Sequence, residues 1–139
     1  THIPFIVSGS GIKSGSICTQ PVSLIDVYPS LVDLANLEIP SWLDGESIKL
    51  QINDPSKPRS PAISSYGNAN TSIRTNHWRY IRYEDGSEEL YDHRNDPNEW
   101  FNLANRSDFL KIKNKLINMI PEDQYPGLKV QKWFDNFQK

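Results

Sequence analysis

Trp78-Arg79-Tyr80-Ile81-Arg82-Tyr83-Glu84-Asp85-Gly86-Ser87-Glu88-Glu89-Leu90-Tyr91-Asp92 reads as a β-hairpin. Trp78, Tyr80 and Arg82 alternate with Arg79, Ile81 and Tyr83, and aromatic and β-branched residues at period two suit a half-buried strand. Asp85-Gly86 supplies the turn, because glycine tolerates the positive φ that tight hairpins demand. Leu90 and Tyr91 begin the return strand. Neighbouring side chains on a strand point to opposite faces, so Glu88, Glu89 and Asp92 do not share one site; they are expected to solvate a strand edge. The following run, Asp92-His93-Arg94-Asn95-Asp96-Pro97-Asn98-Glu99-Trp100-Phe101-Asn102-Leu103-Ala104, is rich in turn residues and ends on side chains of the buried type.

Working outward, Ala62-Ile63-Ser64-Ser65-Tyr66 reads as a strand, Gly67-Asn68-Ala69-Asn70 as a turn and Thr71-Ser72-Ile73-Arg74 as a second strand. Short strands separated by turn signals predict a small antiparallel sheet. Downstream, Phe109, Ile112, Lys113, Leu116, Ile117 and Ile120 recur at helical spacing, with Ser107 as the cap and Pro121 as the stop. That helix is expected to pack on one face of the sheet, an α+β arrangement. Tyr125, Leu128, Trp133 and Phe134 add apolar mass for docking, and Gln138-Lys139 is expected to fray.

Upstream, Ile3-Pro4-Phe5-Ile6-Val7 is a nearly continuous apolar run of the kind buried in a parallel sheet, although Pro4 favours an edge or a strand start. Such a strand needs neighbours, and the chain looks cut from something larger. Residues 8–15 form a glycine-containing loop with no phosphate-cradle pattern. Ser23 through Asp26 carries a capping-box pattern, Pro29 suits a first helical turn, and Leu31, Leu34 and Ala35 predict a helix over residues 29–36 after a short helical turn. Its apolar face requires a sheet to cover. Trp42 is expected to cap the core and Asp44-Gly45 to turn the chain. The breaker-rich run Asn53-Asp54-Pro55-Ser56-Lys57-Pro58-Arg59-Ser60-Pro61 marks a boundary between residues 1–60 and 61–139.

The balance of 15 basic and 17 acidic residues in 139 gives a net charge of −2, which provides no field for nucleic acid or for a membrane surface. No apolar run approaches the length of a membrane span. A single cysteine, Cys18, rules out an internal disulfide.

The run Trp78-Arg79-Tyr80-Ile81-Arg82-Tyr83, then Leu90-Tyr91-Asp92, Asp96-Pro97-Asn98-Glu99 and Asn102-Leu103-Ala104, resembles the C-terminal signature of the sulfatase family, in the alkaline-phosphatase-like superfamily. The branch it resembles is that of bacterial sulfatases related to iduronate-2-sulfatase and choline-sulfatase. Ile3-Pro4-Phe5-Ile6-Val7-Ser8-Gly9, Asp26-Val27-Tyr28-Pro29-Ser30-Leu31-Val32-Asp33-Leu34-Ala35 and Leu43-Asp44-Gly45-Glu46-Ser47 extend the resemblance in the family's order. It implies the last strand and helix of a large α/β domain, followed by a small antiparallel sheet packed by a helix. The partner implied is the upstream catalytic domain of the same polypeptide, and the substrate a sulfated carbohydrate. A formylglycine nucleophile, made from Cys or Ser in a C/S-x-P-S-R motif, and a calcium-like divalent cation are the implied cofactors. A periplasmic or secreted parent is implied as well.

Against that pattern, Cys18 is followed by Thr19-Gln20-Pro21 and lacks the arginine, and Ser56-Lys57-Pro58-Arg59-Ser60 has Arg and Ser exchanged. His2, His77 and His93 are scattered without ligand spacing. No catalytic or metal residue is therefore assigned, and the chain alone is expected to be inactive. Tyr66, Gly67, Asn70 and Arg74 match a family stretch that commonly reads Y-G-R-G-N-H-x-V-R, with Asn68 and Thr71 replacing its Arg and His. The resemblance makes Tyr66, Asn68, Asn70, Thr71, Arg74 and His77 the candidate rim of a substrate pocket. Two other readings remain: the C-terminal part of a related phosphodiesterase or phosphonate hydrolase, and a non-catalytic module binding carbohydrate or protein through Trp78, Tyr80 and Tyr83.

Overall fold

The computed structural model describes residues 3–67 and 69–121. The aromatic tail, His2 and Asn68 lie outside them. The chain divides into two compact units, Thr1–Ser60 and Pro61–Lys139.

In the second unit four strands follow one another as an antiparallel meander: β1 (Ala62–Tyr66), β2 (Asn70–Arg74), β3 (Trp78–Arg82) and β4 (Glu88–Asp92). The register places Ile63, Ile73, Tyr80 and Leu90 in one row across the sheet. With side chains alternating at period two, that row defines one face, which also carries Thr71, Trp78, Arg82, Glu88 and Asp92. Ile73, Tyr80 and Leu90 are buried there with Ala104 and with Leu116 of helix α3 (Leu110–Ile117).

The helix is shorter than its apolar spacing predicts. Ser107 does not cap it; Ser107–Phe109 form a 3-10 turn and Phe109 is the residue preceding α3. At the other end, Met119 N donates to Leu116 O and Ile120 N to Ile117 O, so the last turn tightens before Pro121. Glu88 is not a solvated edge group: it accepts bonds from the Tyr80 hydroxyl and from Lys113 Nζ at 2.8 Å, joining β3, β4 and α3. These two donors hold its carboxyl below the ordinary value against the opposing effect of burial. Asp92 is buried as well, held by Arg94. The free border of β4 is occupied by the chain itself. Leu103 N donates to Leu90 O, while the Asn102 amide accepts from Leu90 N and donates to Glu88 O.

Gly86 has φ +83° in the β3–β4 turn, and a Cβ there would meet nothing within 4 Å. Gly86→Val should therefore cost about 1 kcal/mol or more through backbone strain alone. An unchanged urea midpoint would refute the requirement for a left-handed residue.

The first unit contains a 3-10 turn (Leu24–Asp26), α1 (Val27–Leu34) and α2 (Lys49–Asn53). Residues 3–7 form no strand, and Ile3, Phe5, Ile6 and Val7 are exposed. A strand exists only through its ladder partners, and the described residues supply none to this segment. Helix α1 also turns the expected face outward. Its covered stripe is polar: Ser30 Oγ donates to Asp26 O and accepts from Ile48 N at 3.0 Å, while Asp33 accepts from Ser47 Oγ at 2.6 Å and Lys49 Nζ at 3.0 Å. The irregular segment 44–48 carries backbone donors that no ladder satisfies, so it takes the polar stripe. Leu24, Tyr28 and Leu31 are left exposed, and Trp42 is 73 % exposed against Tyr28 rather than capping a core.

Asp26 is the centre of this unit. Its carboxylate accepts from Ser23 N at 2.7 Å, Glu46 N at 3.0 Å and Arg59 Nη2 at 3.0 Å. The Asp26 and Arg59 side chains are only 5 % and 6 % exposed. Gly45 makes this approach possible, since a Cβ would lie 2.1 Å from the Ile25 carbonyl oxygen.

Candidate functional site

Of the candidate rim residues the structure describes Tyr66, Asn70, Thr71, Arg74 and His77, and it places them at several points of the sheet. Tyr66 and Asn70 are cross-strand partners at the β1–β2 turn. Asn70 Oδ1 accepts from Glu84 N at 3.2 Å, and Asn70, Tyr83, Glu84, Asp85 and Ser87 line an open concavity of about 350 Å³. Thr71 is 1 % exposed and belongs to the face that α3 covers, so its side chain cannot contribute to a rim on the other face. Arg74 stands four residues further along β2, about 13 Å from Asn70 at the usual strand rise. His77 is exposed in the β2–β3 connection, where its carbonyl accepts from His93 N at 2.8 Å.

Arg74 does join a different constellation, on the sheet face opposite the core. Arg74 pairs with Arg79, and Arg79 with Tyr91. Over this row lies the loop after β4. Asp96, buried, accepts from Trp100 N at 3.0 Å and Phe101 N at 2.8 Å, which fixes the loop. Glu99 within it adopts φ +60°, an uncommon conformation for a residue with a Cβ. Its carboxylate receives both of its contacts to Arg79 from Nη1, at 2.9 and 3.2 Å, and lies 2.7 Å from His93 Nε2. A carboxylate is acceptor-only, so Nε2 carries the proton in this bond. Arg79 Nε donates to Ser72 Oγ at 3.3 Å.

The electrostatics follow burial. Burial pushes the Arg74 guanidinium below its ordinary value, an effect offset by Glu99 and reinforced by Arg79. Burial and the bond to Glu89 push the Tyr91 hydroxyl up to about 12. The signature acids thus have structural tasks: Asp92 holds Arg94 and Asn95, Asp96 holds the loop backbone, and Glu99 holds Arg79 and His93. Among the described residues no group of three or more His, Cys, Asp or Glu could hold a metal ion. The donor set does not fit a divalent cation, because these carboxylates are committed to arginine and to backbone N–H groups. Cys18 is exposed with Sγ 3.7 Å from the Pro55 carbonyl oxygen.

Arg79, His93 and Glu99 were not singled out by residue spacing. The D-P-x-E run signals an ordered loop, but only the strand register and the fold of that loop bring the three together. Of the aromatics proposed for a binding module, Tyr83 lines the concavity, whereas the other two are engaged elsewhere. Tyr80 is fully buried, and Trp78 packs at 5.7 Å against Phe109 beneath Arg94.

Comparison with known proteins gives a family model, N-sulphoglucosamine sulphohydrolase, C-terminal, that matches residues 1–125. A sulfatase of Formosa agariphila is 36 % identical over 118 residues, covering 84 % of this chain and 22 % of that protein. Human arylsulfatase K is 33 % identical over 119 residues, covering 74 % of this chain and 22 % of its own length. This chain therefore spans about a fifth of the curated relatives it matches. Among solved structures, that of BT4656 with its substrate D-glucosamine-2-N,6-O-disulfate superposes with a TM-score of 0.57 at 26 % identity, covering 80 % of this chain and 24 % of that one. A phosphonate monoester hydrolase from Silicibacter pomeroyi shares the fold, with a TM-score of 0.61 at 18 % identity over 92 % of this chain and 27 % of that one.

Proposed function

The chain belongs to the sulfatase family, as the C-terminal part of such an enzyme, and we propose that it serves a polypeptide that hydrolyses sulfate esters of a sugar. The observation that carries this reading is the family match across residues 1–125. The substrate of BT4656, a sulfated glucosamine, supports the substrate class. In this reading residues 1–60 complete the catalytic α/β domain and residues 61–139 form a C-terminal subdomain. In the same reading the nucleophile and a divalent cation are assigned to the remainder of the polypeptide, which the lack of a C/S-x-P-S-R motif in this sequence supports. The contribution of this chain is then to complete the catalytic domain and to border the substrate through Tyr66, Asn68, Asn70, Arg74 and His77.

Fold likeness alone leaves phosphonate monoester hydrolysis as the rival, and substrate preference separates the two. The full-length polypeptide is expected to release sulfate from an aryl sulfate and from sulfated monosaccharides faster than it cleaves an aryl phosphonate monoester. The 139-residue chain by itself is expected to release none. Metal-dependent turnover by the purified chain, or a preference of the full-length enzyme for the phosphonate, would reject this reading.

A further inference from the structure

Arg74 and Arg79 stand directly opposite one another across the β2–β3 ladder. Like charges in that position oppose strand pairing. Among the described residues one carboxylate, Glu99, forms an ion pair with this row, and it is already shared between Arg79 and His93. Arg79 also has Ser72. Arg74, by contrast, donates among the described residues a long bond, 3.4 Å from Nη1 to the Trp78 carbonyl oxygen. The row therefore holds two guanidinium groups and one carboxylate, with the second guanidinium half-buried. Glu99 is kept there in a left-handed backbone conformation by the Asp96 clamp. A sheet that places a repulsive pair at the end of its β2–β3 ladder and neutralises half of it carries a local cost, and such costs mark functional positions.

We propose that Arg74, backed by Arg79, is an oxyanion-binding site that receives a sulfate or carboxylate group of a saccharide. The planar guanidinium fork matches both groups, and Arg74 has donors to spare for a bidentate contact. Glu99 sets the selectivity: it cancels one positive charge, so the row favours a single anionic group over a polyanion. The proposal deepens the sulfatase reading and rests on it only for the saccharide nature of the ligand.

Thermal unfolding of the full 139-residue chain tests it, with sodium sulfate, glucose 6-sulfate and glucose as probes at constant ionic strength. Sulfate stabilises folded chains generally by exclusion from their surface, so the informative quantity is the difference between wild type and Arg74→Gln. Glucose 6-sulfate is expected to raise the Tm of wild type and not of Arg74→Gln, with glucose inactive on both. A parallel wild-type-specific rise with free sulfate shows that the oxyanion alone suffices; its absence shows that the sugar ring is also held. Without any probe, Arg74→Gln should gain roughly 1–4 °C, because it removes the repulsive pair. Arg79→Gln frees Glu99 to neutralise Arg74 and should likewise abolish the response. Equal responses in wild type and Arg74→Gln, or a Tm loss in Arg74→Gln without probe, would overturn the site and leave Arg74 as a structural donor to Trp78. Such a failure beside retained sulfate-ester hydrolysis by the full-length enzyme would reject this inference and not the family-based reading.

Discussion

Asp26→Ala is expected to destabilise the arrangement of α1 and segment 44–48 by about 3–5 kcal/mol, the cost of leaving a buried charge without its partner. The mechanism is specific. Arg59 Nε and Nη1 are buried with no partner among the described residues, and Glu46 is 4.0 Å from Nη2, so Asp26 is the close counter-charge. The same substitution strands the N–H groups of Ser23 and Glu46. Amide exchange at Glu46 and Ile48 should accelerate on the order of a hundredfold or more, as 1.4 kcal/mol corresponds to tenfold. Combining Asp26→Asn with Arg59→Met removes both charges and should recover most of the loss, since an apolar replacement of a buried pair is often neutral. Unaltered exchange at both amides in Asp26→Ala would show that the pair does not hold the segment.

Leu116→Ala should lower the stability of the second unit by about 2–5 kcal/mol. Leu116 is 1 % exposed and is the buried residue of α3 in contact with the core row of Ile73, Tyr80 and Leu90. Truncation removes the transfer free energy of the side chain and leaves a cavity that Tyr80 cannot fill, because its hydroxyl is tied to Glu88. Leu110→Ala, at an exposed position of the same helix, is the control and should change the midpoint little. Equal effects of the two substitutions would mean that the helix does not pack as described.

What could be read in the sequence depended on the range of the interactions involved. The four strands and the Gly86 turn were legible because period-two patterning and a glycine requirement are local. The fold class and the family followed from motifs in a fixed order. Residues 3–7 were expected to need strand neighbours, and they form no strand here because the described residues supply none. The α1 surface was legible in part: Leu31 and Leu34 announce an apolar face that a sheet has to cover, and Asp26, Ser30 and Asp33 at i, i+4 and i+7 carry the polar stripe used here. Thr71 was placed on a rim by motif alignment, although its parity with Ile73 puts it on the core face. The Arg74–Arg79 row required the exact cross-strand register, which no single-sequence pattern supplies.

The Asn102 amide at the border of β4 has a consequence for self-association. With one acceptor and one donor it imitates the backbone of a fifth strand for a single residue, and then the chain departs into Ala104 and the helix. A foreign strand arriving there finds Leu90 N, Leu90 O and Glu88 O already occupied. Nothing comparable among the described residues closes β1, where Ser64, Ser65 and Tyr66 are exposed. Strand addition is thus blocked at the β4 edge and left to the β1 edge. At high concentration the chain should join β1 to β1 in closed pairs rather than stack head to tail into filaments.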